Sequence, residues 1–183
     1  MLTDAHKHQL RQLAAQSIDM GLQHQRPLQP NLEALPPELR APGASFVTLE
    51  IQGALRGCIG SVQARRALAL DVCEHAYDAA FCDHRFPALT PSEQDQLHLS
   101  ISVLDTPVSL HFTDEADLLA QLKPDVDGVI LRDGHHQSTF LPAVWKKLPN
   151  RQAFWQELKC KAGLPKNYWS TTLTAQRYQV ICF

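Results

Sequence analysis

SFVTLEIQGALRGCIG, residues 45–60, decides the architecture. Phe46, Thr48 and Glu50 alternate with Val47, Leu49 and Ile51, the period of a strand with one buried face. Gly53 permits a reversal, so ALRGCIG returns as the second arm of an antiparallel hairpin closed by Gly60. The cysteine between glycines therefore sits on a strand at a sheet edge or rim, outside any helix.

If that return strand alternates strictly, Arg56 and Cys58 share one face while Leu55 and Gly57 take the other. A guanidinium beside the sulfur would support a nucleophile, and Gly57 and Gly60 leave room for a ligand or a second backbone. This reading gives a reactive or ligand-contacting thiol at the rim of a cleft. The other reading stays open: free cysteine is commonly a small core residue, an arginine near a strand commonly binds a structural carboxylate, and the glycines serve the hairpin alone.

Working outward, residues 3–20 read as a helix, capped by Thr3 or Asp4, striped by Leu10, Leu13, Ala14 and Ile18, and stopped at Gly21. A proline-rich passage, Pro27 to Pro42, reads as irregular chain with a short helical turn. Ala67 to Phe81 returns to helical period, with Leu68, Val72, Ala76 and Ala79 or Ala80 inward and Asp71, Glu74 and Asp78 toward solvent. LHLSISVL, 97–104, alternates again and sends Leu97, Leu99, Ile101 and Val103 to a core.

The second half repeats the mixture. A short helix is expected over 114–122, then the strand VDGVILR, a turn at Asp133-Gly134 and the return strand HHQSTF. Pro142 opens a helix with Val144, Trp145 and Leu148, and RQAFWQELKCKAG makes another that ends at Gly163. AQRYQVICF closes the chain as one strand. The three tryptophans read as core or subunit packing. Irregular alternation of helices with hairpins gives an α+β fold with mainly antiparallel sheets and flanking helices.

Composition bounds the function. With 44% hydrophobic and 20% charged residues over 183 positions, the chain can bury a sizeable core without covalent staples. Its net charge of -2 argues against general nucleic-acid binding. Five cysteines, an odd number, fit reduced thiols and a cytoplasmic protein, and no apolar run points to a membrane span or a secretory leader.

A second candidate site follows the alanine-rich helix at Cys82-Asp83-His84-Arg85-Phe86-Pro87. Asp83 and Arg85 could orient a polar ligand while His84 moves a proton near neutral pH, or the same groups could fix a bend by hydrogen bonds. Cys73-Glu74-His75 and Cys82-Asp83-His84 repeat a C-x-H order, but residues two apart on a helix do not face together, so no metal is assigned. Dinucleotide and phosphate-loop fingerprints and a serine nucleophile elbow are absent, and no cofactor is named.

In order along the chain, FVTLEIQGALRGCIGS, AYDAAFCDHRFPALT, LHLSISVL, VDGVILRDG, STFLPAVWKKLP and LKCKAGLPKNYW resemble the AMMECR domain family, which includes protein A of the AmmeMemoRadiSam system. The resemblance covers about residues 45–183. It implies a single AMMECR-type domain over 1–183, subdivided near 1–105 and 106–183 into closely associated or intertwined subdomains, with strand exchange and a cleft between them. It also implies that Arg56 and Cys58 occupy the signature strand and that Asp83, Arg85 and Phe86 contribute to that cleft. Two positions depart from the family pattern: His84 replaces a proline, and Ser100 stands where glutamate is common.

The resemblance further implies pathway partners of the Memo-like and radical S-adenosylmethionine kinds. The cysteine arrangement that would hold the radical enzyme's cluster is absent from this chain. Two functions follow. In the first, the protein binds a small molecule or peptide: Arg56 orients an anionic group, Asp83 and Arg85 shape a polar wall and Cys58 makes a close contact. In the second, it is a thiol-dependent transferase or hydrolase-like enzyme with Cys58 as nucleophile and Arg56 as charge stabiliser, its base unidentified.

Overall fold

The hairpin is the organising element of the computed structural model, which describes residues 2–183. Strand β1, Pro42–Ile51, begins three residues earlier than the alternation suggested and pairs antiparallel with β2, Ala54–Gly60. Gln52 and Gly53 both take left-handed backbone, with φ of 52° and 77°, as a two-residue turn between right-twisting strands demands. Val47 and Leu49 are fully buried, each gaining roughly 1.5–3 kcal/mol from leaving water.

The pairing slips once. Leu49 lies opposite Gly57 and Glu50 opposite Leu55, which leaves Arg56 as the extra residue of a β-bulge. The bulge breaks strict alternation, so the expectation that Arg56 and Cys58 share a face fails. Cys58 faces Thr48 across the hairpin, while the Arg56 side chain reaches the segment beyond the second long helix.

The first long helix, α1, covers Asp4–His24 behind a Thr3/His6 capping box. It does not stop at Gly21. The helix runs on to a left-handed Gln25, and Gly21 lies inside it, where the Phe81 ring packs against its α-carbon. The proline-rich passage holds a single 3-10 turn, Leu32–Ala34, and a short helix α2, Pro37–Arg40. After β3, Arg66–Ala67, comes α3, Leu68–Phe81, then a 3-10 turn at Pro91–Gln96 and strand β4, Leu97–Leu104.

These elements form one compact unit, which extends to Val103 and takes in Ile181–Phe183. Its sheet has the order β2-β1-β4-β9, where β9 is Val180–Cys182 and β3 adds to β1. Helices α1 and α3 cover one face, packing Leu10, Ala14 and Ile18 with Val72, Ala76 and Ala79 onto Val47, Leu49, Ile101 and Val103.

The other unit, Leu104–Val180, holds β5, Val108–Ser109, α4, Glu115–Gln121, β6, Gly128–Asp133, β7, His136–Phe140, α5, Arg151–Lys161, and β8, Thr174–Tyr178. Its antiparallel sheet runs β5-β8-β6-β7. Trp145, on a 3-10 turn where a helix was expected, stacks on Phe154 at 3.7 Å between ring centres and donates its indole N–H to the Asp127 backbone carbonyl. The expected single terminal strand is two strands broken at Gln179, each in a different sheet. Two antiparallel sheets with flanking helices make the fold α+β. Among the described residues no helix is long and apolar enough to cross a membrane.

Candidate functional site

Strand β2 is the outer strand of its sheet, and edge strands leave backbone donors and acceptors unpaired. Thr48 and Cys58 face each other, and the backbone groups of Cys58 turn away from β1 to meet side chains instead. The Cys58 N–H donates to Asp83 Oδ2 at 2.9 Å, and the Cys58 carbonyl accepts from Arg85 Nη2 at 3.1 Å. Asp83 and Arg85 thus do for Cys58 what a neighbouring strand would do.

The two side chains are fastened to each other as firmly. Arg85 Nε reaches Asp83 Oδ1 at 2.9 Å and Nη2 reaches Oδ2 at 2.6 Å, a fork-to-fork ion pair, and the Arg85 backbone N–H adds a third bond to the same carboxylate. The Arg85 guanidinium, helped by the backbone donors of Cys58 and Arg85, holds the buried Asp83 carboxyl far below the usual carboxylate range against the opposing effect of burial. Asp83 in return raises Arg85 above its ordinary value. While Asp83 is buried, 48% of the Arg85 side chain meets solvent, with its guanidinium 5.6 Å from the Phe86 ring centre.

The Cys58 sulfur is half-buried and accepts a hydrogen bond from the Thr48 hydroxyl at 3.3 Å. Among the described residues no imidazole or carboxylate hydrogen-bonds to it. Arg56 is elsewhere: its Nε and Nη2 grip the two Glu93 oxygens at 2.7 and 3.2 Å, and Nη2 also reaches the Ala88 carbonyl. His84 is exposed.

Of the four sequence candidates, Cys58, Asp83 and Arg85 come together and Arg56 stands apart. Sequence reasoning missed Glu93, although Thr90-Pro91-Ser92-Glu93 carries a capping-box pattern that is realised here, with Glu93 accepting from both the N–H and the hydroxyl of Thr90. It also missed that Asp71 is buried. Asp71 accepts from the Ser45 N–H at 2.9 Å, the Ser45 hydroxyl at 2.7 Å and Arg66 Nε at 3.1 Å, with His75 Nδ1 at 3.2 Å. Nothing in a 3.6-residue period distinguishes an acid that meets solvent from one that donors outside the helix satisfy.

Acid should weaken this region. Arg56, then the two Thr90 donors, depress Glu93 from 4.5 to about 2, and Asp83 is depressed further. A depressed carboxyl contributes stability in full above its unfolded value and loses it as pH falls toward its folded value. The melting temperature should therefore fall as pH drops from about 4.5 to about 2. Glu93→Gln should remove part of that acid-induced loss of stability, about 1 to 2 kcal/mol over the window, since solvent reaches part of the Glu93 side chain and screens the pair. Thermal melts of both proteins between these limits test it; identical slopes would refute the assignment.

The AMMECR1 family model matches residues 11–183. A protein of Methanothermobacter thermautotrophicus is 34% identical over 151 residues, covering 81% of this chain and 79% of that one, and a protein of Thermococcus gammatolerans is 33% identical over 167, covering 86% and 78%. In solved structures, an uncharacterised protein from Pyrococcus horikoshii superposes with a TM-score of 0.88 at 29% identity, over 99% of this chain and 92% of that one. A family match that spans both units, with relatives at this identity over most of their length, settles the lineage: the chain belongs to the AMMECR1 family.

Proposed function

We propose that the protein is a binding component, and that its recognition element is the half-exposed edge of Arg85 beside the Cys58 thiol. The observation that carries this reading is a contrast within one ion pair: Asp83 is buried and Arg85 is not. An arginine whose only task is to close a sheet edge can be covered. Here one side of the guanidinium is spent on Asp83 and Cys58, and the rest faces solvent already immobilised. An anion docking there pays little of the side-chain ordering cost that a free surface arginine would impose. The chemistry suits a carboxylate or phosphate on a small molecule or a peptide. In an AmmeMemoRadiSam-type system such a chain would capture a ligand rather than transform it.

Titration of isotope-labelled protein with inorganic phosphate and with succinate, read at the Cys58 amide and the Arg85 side chain, tests the proposal. Saturable shifts are expected at both. Arg85→Gln should weaken them roughly tenfold or more, since a charge-assisted bond is lost, and Arg85→Lys should restore little of the forked geometry. Shifts unchanged in a folded Arg85→Gln protein would overturn it. The alternative, Cys58 as a nucleophile, rests on the Thr48 hydroxyl donated to its sulfur. It lacks a base at that sulfur, which is why binding is the better-supported reading.

A further inference from the structure

Far along the chain from Cys58, the unit Leu104–Val180 carries a cleft of about 340 Å³ walled by Phe112 and Trp169, floored by Leu110 and Leu173, and edged by hydroxyls that include Thr113 and Thr171. We infer that this cleft is a second binding site, for a neutral, planar heteroaromatic ring of nucleobase or nucleoside size, which stacks on Trp169.

The indole is the first argument. Trp145 and Trp155 are fully buried, whereas 37% of Trp169 is exposed at the cleft, its ring edge-on to Phe112 with 5.7 Å between centroids. One exposed apolar side chain means little by itself. What marks this one is how firmly the chain around it is held.

Tyr168 donates its hydroxyl to Asp133 Oδ2 at 2.8 Å, and Thr172 donates to Asp133 Oδ1 at 2.7 Å, so a single buried carboxylate clamps the loop on both sides of the tryptophan. The Tyr168 carbonyl accepts from Lys159 Nζ at 3.1 Å. Lys159 is fully buried and its charge is balanced by Glu115 at 2.8 Å. Burying an ammonium and a carboxylate is costly unless their bonds are met, and here both are used to fix the backbone that presents Trp169. Stacking on a fixed indole avoids the entropy that ordering a mobile one would cost.

The lining selects the ligand. No lysine, arginine, aspartate or glutamate lines the cleft among the described residues, so a phosphate or carboxylate finds no permanently charged counter-ion there. Aromatic faces accept any flat ring, since each base offers a π-surface. The His111 ring and the Thr171 hydroxyl have no hydrogen-bond partner among the described residues and lie at the cleft, available to a heteroaromatic edge. A nucleic-acid strand is disfavoured by the same argument, because its backbone would need the basic groove that is missing.

The probes are adenosine, guanosine, cytidine and uridine, with adenosine monophosphate and methyl glucoside as controls, titrated into the whole chain by calorimetry and by following the Trp169 indole N–H resonance. At least one nucleoside should bind saturably and shift that resonance. Trp169→Ala should weaken it roughly tenfold, the scale of one base stacked on an aromatic side chain, while Trp169→Phe keeps most of the affinity. Melting curves confirm that both variants fold, and Arg85→Gln should leave nucleoside binding unchanged. The inference is overturned if no nucleoside saturates, if methyl glucoside binds as well, if the monophosphate binds tenfold tighter than adenosine, or if folded Trp169→Ala binds as the native chain does.

Discussion

Gly57→Ala should destabilise the protein by about 3 kcal/mol or more, at the upper end of what overpacking costs, because the added methyl has nowhere to go. A β-carbon built at Gly57 lies 2.0 Å from the Ala79 carbonyl oxygen and 3.0 Å from its carbon, both backbone atoms of α3. A clash with the tip of a flexible side chain relaxes by rotation. A clash with helix backbone can relax only if β2 and α3 move apart, and α3 is held by Val72, Ala76 and Ala79 in the core.

The consequence reaches the site. Close approach of β2 to the last turns of α3 is what brings the Cys58 N–H to Asp83, which stands two residues beyond the helix end at Phe81. Separating the two elements should lengthen the Cys58–Asp83 and Cys58–Arg85 bonds together. A lower urea midpoint together with faster exchange of the Cys58 amide is the expected pair of results. A native-like midpoint would show that α3 yields, and that the glycine is not required for the approach.

Gly57 also marks where sequence legibility ends. The alternation of Phe46 to Ile51 and the Gly53 reversal were readable because each is a local rule, a period of two and a left-handed backbone. The need for hydrogen in place of a methyl at Gly57 depends on a carbonyl 22 positions away in the chain, which no local pattern encodes. The bulge at Arg56 is invisible for the same reason: a strand with one extra residue has the same composition as one without it, and only its pairing with Leu49 and Glu50 reveals the slip.

Asp83 and Arg85 were recognisable as a candidate pair from their spacing, but their bonds to the Cys58 backbone follow from β2 being an edge strand, a property of sheet order. The division of 174–183 into two strands in separate sheets was likewise hidden, since Tyr178 and Val180 satisfy strand propensity equally well in one sheet or in two. Trp169 reads like the two core tryptophans until the Asp133 clamp on its flanks is seen.

Arg56→Met should cost about 3 kcal/mol and leave anion binding at Arg85 intact, which separates the arginine expected from the sequence to orient the anion from the one expected to shape a polar wall. Methionine keeps much of the apolar stem that Arg56 buries, so the loss reports chiefly on its polar bonds. Those are two charge-assisted contacts to Glu93 and one to the Ala88 carbonyl, made by a guanidinium with 11% of its side chain exposed. Removing Arg56 costs more than the pair contributes, because Glu93, with 28% of its side chain exposed, is left without its counter-charge and only partly hydrated. Glu93 keeps its two Thr90 donors and part of its hydration, which holds the expected cost to about 3 kcal/mol, the low end for breaking such a pair. Glu93→Gln in the Arg56→Met background should therefore cost much less than it does alone, since the carboxylate has already lost its counter-charge. Equal costs in both backgrounds would mean that the two side chains contribute independently. If phosphate or succinate shifts at Cys58 vanish in a folded Arg56→Met protein while they survive in Arg85→Gln, the binding role belongs to Arg56 and the assignment to Arg85 fails.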